Sequence, residues 1–118
     1  MKRYAFAAML LLTGCQTAAE PDFTPIAGDA LKTLIAGKTV TFVNNDTSTY
    51  AANGKYEAIG SSTRETGTYT IDGTGVCVTV TAPAAGSHCD QYTLIAGTYF
   101  LVDQTGQRFS VSSIAPAS

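Results

Sequence analysis

From Lys38 onward the chain is cut into short runs of Thr, Val, Tyr, Ile and Phe by glycine, asparagine and aspartate. "VCVTVT", residues 76–81, is the clearest run: Val76, Val78 and Val80 fall on one side, Cys77, Thr79 and Thr81 on the other. A period of two means a strand with one buried face. "TVTFV" (39–43), "GKYEAIG" (54–60), "TGTYTI" (66–71), "CDQYTLIA" (89–96), "TYFLVD" (98–103) and "RFSVSSI" (108–114) use the same β-branched and aromatic vocabulary. "NNDTS" ends the first of them, Asp72-Gly73 and residues 104–107 read as turns, Gly97 as a turn or a bulge, and "APAAGSH" (82–88) as a loop. About seven strands, spaced by roughly 8 to 14 residues, predict a mainly β fold: an antiparallel meander, a small barrel or a sandwich. Helices of about 10–15 residues between strands, which a parallel sheet needs, are not in the pattern.

One helix precedes the strands. In "DALKTLIAGK", Leu31, Leu34 and Ile35 share a face. The spacing predicts about two turns from Ala30 to Ala36, with Asp29 as N-cap and Gly37 as the terminating glycine. So short a helix is marginal alone and has to pack on the sheet. "QTAAEPDFTPIAG" (16–28) reads as a flexible tether, and residues 115–118 as a frayed tail.

The first residues have a different character. Lys2 and Arg3 precede an apolar run from Tyr4 to Leu12, too short for a bilayer span of about 20 residues. A charged start and a short apolar core describe a signal peptide, expected over residues 1–14. Leu12-Thr13-Gly14-Cys15 then resembles the bacterial lipobox. The resemblance implies cleavage before Cys15 and a lipid on its sulfur. More than one acyl chain makes such an anchor stable. The membrane is therefore the expected partner, through Cys15. Gln16 stands where Asp retains enterobacterial lipoproteins in the inner membrane, so the expected location is the outer membrane, facing the periplasm.

With Cys15 lipidated, Cys77 and Cys89 remain, and an oxidising compartment favours their pairing. For a domain this small a staple closing so short a loop is worth about 3 kcal/mol. Without the leader, five Lys and Arg stand against nine Asp and Glu. Lys32, Lys38, Lys55, Arg64 and Arg108 are scattered, so no basic patch for nucleic acid is expected.

"GKTVTF", "GKYEAIG", "ETGTYTIDGTGVCVTV" and "HCDQYTLIAGTYFLVDQTGQ" together resemble a group of small periplasmic β domains from alphaproteobacteria. In that group a helix ending in Leu-x-Gly leads into strands, and a second Cys stands just before a Tyr. The resemblance covers roughly Leu31 to Ser112, with Tyr69 where the group often has Trp. It implies a fold for residues 29–114 and no particular activity.

A nucleophilic triad needs histidine, and His88 sits between Ser87 and Cys89, where neighbours along the chain cannot form one in the usual way. It reads as a solvent-exposed loop residue. Cys77, Cys89 and His88 give too few ligands for a closed zinc site, so neither metal nor cofactor is expected. Asp72, Asp90 and Asp103 read as turn residues, and Glu57 and Glu65 as solvent-facing, so no acid–base pair is assigned. The remaining feature is "TYFLV", apolar on both faces, with Tyr99 and Leu101 on one and Phe100 and Val102 on the other. Such a strand is either central or has one face on a ligand or partner. Tyr99, Phe100 and Leu101 are therefore the candidate binding surface. The expected function is a non-catalytic envelope lipoprotein that binds something. The alternatives are a periplasmic inhibitor of a lysozyme or protease and, more remotely, a small enzyme.

Overall fold

A computed structural model of the chain describes residues 23–117. The expected signal peptide, residues 1–14, and Cys15 lie outside those residues. After a helix, α1 (Gly28–Ile35), come eight strands: β1 (Lys38–Phe42), β2 (Thr47–Tyr50), β3 (Lys55–Ile59), β4 (Arg64–Asp72), β5 (Gly75–Ala82), β6 (Gly86–Ile95), β7 (Thr98–Val102) and β8 (Arg108–Pro116). Each pairs antiparallel with the next, and β8 pairs back onto β1, closing a barrel. Of the architectures the strand spacing allows, the chain adopts the up-and-down barrel. Eight strands leave an interior just wide enough to be filled by side chains.

The alternation read from the sequence places the valines inside. Val76, Val78 and Val80 are buried, with Cys77 and Thr79 on the outer face. Val40 and Phe42, Tyr50, Tyr56, Tyr92, Leu101 and Val111 complete the core, and α1 adds Leu31 and Ile35, both fully buried. Two irregularities keep the pattern in phase. On β8, Ser112 is an extra residue between Thr41↔Ser113 and Phe42↔Val111, so Val111 and Ile114 both share faces with inward β1 residues. On β5, Thr81 is skipped between Thr66↔Ala82 and Gly67↔Val80. There β4 crosses so close that a Cβ at Gly67 would stand 1.9 Å from the Thr79 carbonyl oxygen.

Several expectations are corrected. The strands number eight, because Thr47–Tyr50 is a strand and not the end of a loop. α1 begins at Gly28, Ala27 occupies the N-cap position, and Asp29 lies in the first turn. Gly37 does follow the helix with φ +75°, a left-handed conformation suited to glycine. Residues 82–88 are not all loop, since β6 starts at Gly86. Of the expected frayed tail, residues 115–117 are held in the sheet: β8 runs to Pro116, and Ala117 N–H donates to Gly37 O at 2.9 Å. The end of the expected tether is docked. Pro25 forms a β-bridge with Thr93, and Ile26 N–H donates to Tyr92 O at 2.8 Å.

Candidate functional site

The barrel interior holds polar groups among its apolar ones, and most sit on β2 and β6. Strand alternation turns Ser48 and Tyr50 of β2 inward, and Asp90 and Tyr92 of β6. All four are buried. His88 shares the Asp90 face of β6, half-exposed, with Nδ1 3.1 Å from the Asp90 carboxylate. This corrects two expectations: His88 is a strand residue paired opposite Val78, and Asp90 points into the core instead of shaping a turn.

The hydroxyls of Tyr50 and Tyr92 meet at 2.8 Å in the middle of the barrel. Around Tyr50 the rings of Tyr56, Tyr69 and Tyr92 pack with centroids 5.5, 5.2 and 6.4 Å away, tilted or edge-on. Tyr69 donates to Ala51 O at 2.8 Å. Burial pushes the phenols of Tyr50, Tyr56 and Tyr92 above their usual range, and the Asp90 charge adds to it in each. These are neutral hydroxyls at any physiological pH. For Asp90, burial raises the carboxyl pKa, while the neighbouring His88 opposes that rise.

Chemically this cluster is a packed polar core. His88 and Asp90 form a hydrogen-bonded pair, but among the described residues no group of three His, Cys, Asp or Glu is placed to hold a metal ion. Tyr50 and Tyr92, the largest fully buried side chains, occupy the space a lumen ligand would need. The remaining carboxylates are peripheral. Glu57 pairs with Arg64 across β3 and β4 on the outer face. Glu65 is exposed. Asp72 ends β4, at the turn into β5. Asp103 does shape a turn, accepting from the Thr105 hydroxyl (2.6 Å) and from Thr105 and Gln107 N–H (2.9 and 3.0 Å). The Thr105 hydroxyl is the main reason its pKa is lowered.

Cys77 and Cys89 are directly opposite on β5 and β6 and form a disulfide on the barrel's outer side. The two-faced strand β7 also finds its explanation. Leu101 faces the core and Tyr99 is half-buried on the same side. The outer face is covered: Val102 is 6% exposed and lines a cleft with Phe23, and Thr93 is fully buried, donating to Thr24 O at 2.8 Å. Phe100 is half-buried opposite Thr93. The strap of residues 23–26 thus covers Thr93, the residue paired with Phe100, while Tyr99 lines a groove beside α1.

Two openings were not legible in the sequence. One is the barrel mouth opposite α1, about 200 Å³, lined by Phe42, Ala58, Leu101 and Phe109, with Ile59 exposed at its rim. The other is the Tyr99 groove, which arises from a change of strand partner that local alternation does not encode. Among the described residues no helix is long and apolar enough to cross a membrane. In comparisons with known proteins, no family model, no curated protein and no solved structure matches the chain.

Proposed function

We propose that this chain is a lipid-anchored, non-catalytic β-barrel of the bacterial cell envelope, held at the outer membrane through Cys15 and working by binding a partner. The anchor rests on Leu12-Thr13-Gly14-Cys15 directly after a charged and then apolar leader. The binding role rests on the filled lumen. Tyr50 and Tyr92 satisfy each other inside the barrel, so the chemistry offered to a partner lies on the outer surface and at the rims. The resemblance to small periplasmic β domains agrees with this reading.

Mass spectrometry of the membrane fraction tests the anchor. The expected N-terminal peptide begins at an acylated Cys15, and a mature terminus elsewhere would sink the assignment. Crosslinking in intact envelopes tests the binding role, and a specific crosslinked partner is expected. His88→Ala and Asp90→Ala variants that stay folded should keep whatever phenotype the gene carries. Loss of that phenotype in a folded variant would reinstate the enzyme reading.

A further inference from the structure

β8 changes neighbours halfway along. Its first residues pair with β7, as Val102↔Arg108, Leu101↔Phe109 and Phe100↔Ser110. From Val111 to Pro116 it is paired with β1 alone, past the Ser112 bulge. β7 begins earlier than that ladder, at Thr98. Thr98 and Tyr99 on one side, and Val111 to Ile114 on the other, therefore bound an open groove of about 580 Å³. α1 contributes Thr33 and Leu34 to its lining, and β1 contributes Lys38.

Both walls present backbone to the groove. Ala117 N–H donates to Gly37 O, which makes Lys38↔Pro116 and Val40↔Ile114 the pairs without mutual hydrogen bonds. Ile114 therefore turns its N–H and C=O away from β1, into the groove. On the other wall, Asp103 N–H donates to Gln107 O, which makes Leu101↔Phe109 a bonded pair. Tyr99, two residues before Leu101, directs its N–H to the same side.

The molecule fills one such gap already. β6 pairs with β5 only as far as Asp90 and with β7 from Gln91 on. Along the edge that β5 vacates lies the extended segment Thr24–Ile26. It holds on by the Pro25–Thr93 bridge and by Ile26 N–H to Tyr92 O, and packs Ile26 against the core. The groove at β7 and β8 is the same kind of gap, with no such segment in it among the described residues. Its apolar residues are Leu34, Tyr99, Val111 and Ile114, and its charged residue is Lys38. The Lys38 ammonium donates to Thr33 O at 3.0 Å and has further donors to offer.

We propose that this groove takes an extended peptide as an added strand, one carrying an apolar side chain for the Leu34, Tyr99, Val111 and Ile114 cluster and an acidic group for Lys38. Main-chain hydrogen bonds would supply affinity and the two side-chain positions selectivity. The proposal gives a partner class to the binding role proposed above and rests on it, but does not depend on lipidation of Cys15.

The test is selection of random octapeptides displayed on phage against the mature full-length chain, then mapping of backbone amide shifts with the strongest peptide. Enriched peptides should alternate apolar and polar residues and carry an Asp or Glu. Their binding should shift Thr98, Tyr99, Ser112, Ser113 and Ile114. Lys38→Glu should weaken binding by about tenfold. Ile114→Pro removes a donor that faces the groove while leaving the β1 ladder bonds in place, and should also cost about tenfold. If Ile114→Pro fails to fold, Lys38→Glu and the shift map still decide. Peptides that are indifferent to Lys38→Glu, or that shift the barrel mouth instead, would overturn the groove and leave the binding module standing. So would an absence of enriched peptides, provided envelope crosslinking still captures a partner; failure of both would overturn the two readings together.

Discussion

Removing one hydroxyl from the centre of the barrel should cost more than removing two. Tyr50 and Tyr92 are 1% and 0% exposed, and their hydroxyls lie 2.8 Å apart. Tyr50→Phe leaves the Tyr92 hydroxyl buried without that partner, and Tyr92→Phe does the same to Tyr50. An orphaned buried hydroxyl costs about 1–3 kcal/mol, whereas replacing both partners by apolar groups of the same shape is nearly neutral. Each single variant should therefore lose about 2 kcal/mol, and the double variant about 1 kcal/mol or less. Urea unfolding of the disulfide-intact protein reads this directly. With an m-value of about 2 kcal/mol/M, each single variant moves the midpoint down by about 1 M, and the double by about 0.5 M or less. A double variant whose loss equals the sum of the singles would refute the reasoning, since it would mean the two hydroxyls are satisfied independently. Singles indistinguishable from wild type would refute it as well.

Three further outcomes follow from the same structure. Gly67→Ala should lose about 3 kcal/mol or fail to accumulate, because the new Cβ meets the Thr79 carbonyl oxygen at 1.9 Å, and thermal melts will show it. Reducing the Cys77–Cys89 bridge, or replacing both cysteines by serine, should cost about 3 kcal/mol in urea unfolding, with the fold retained by circular dichroism below the transition. Asp90 has its carboxyl pKa raised in the folded state, so its contribution is present below the unfolded value of about 4 and is lost as pH rises through the folded one. Stability measured against an Asp90→Asn variant should accordingly fall from about pH 4 upward, and a difference that stays flat across that range would show Asp90 to be well solvated.

The strand boundaries the sequence hid share one physical cause. Strands β4, β5 and β7 were legible because their inward residues are apolar, as with Val76, Val78 and Val80. β2 carries Ser48 at an inward position and read as part of a turn, and the first residues of β6, with His88 facing in, read as loop, the strand being legible only from Cys89 on. A polar lumen breaks the contrast on which period-two reading depends. The strap was missed for another reason: Pro25 cannot donate and looks like linker, yet a proline is compatible with a sheet edge. The pairing of Cys77 with Cys89 followed from counting, and the structure puts them directly opposite. The groove beside α1 depends on where two ladders stop, which is a tertiary property.

The pairing of β1 with β8 has a consequence in time. Thr41 and Ser113 are neighbours in space but are separated by most of the domain in sequence. The other ladders join consecutive strands and close over short loops, each at low entropic cost, so they can form as the chain emerges. The last ladder cannot. Until Arg108–Pro116 is available, Lys38–Phe42 and Thr98–Val102 are both free edges, open to any passing strand. A chain shortened by its final ten residues would keep nearly all of its hairpins and still remain an open, self-associating sheet.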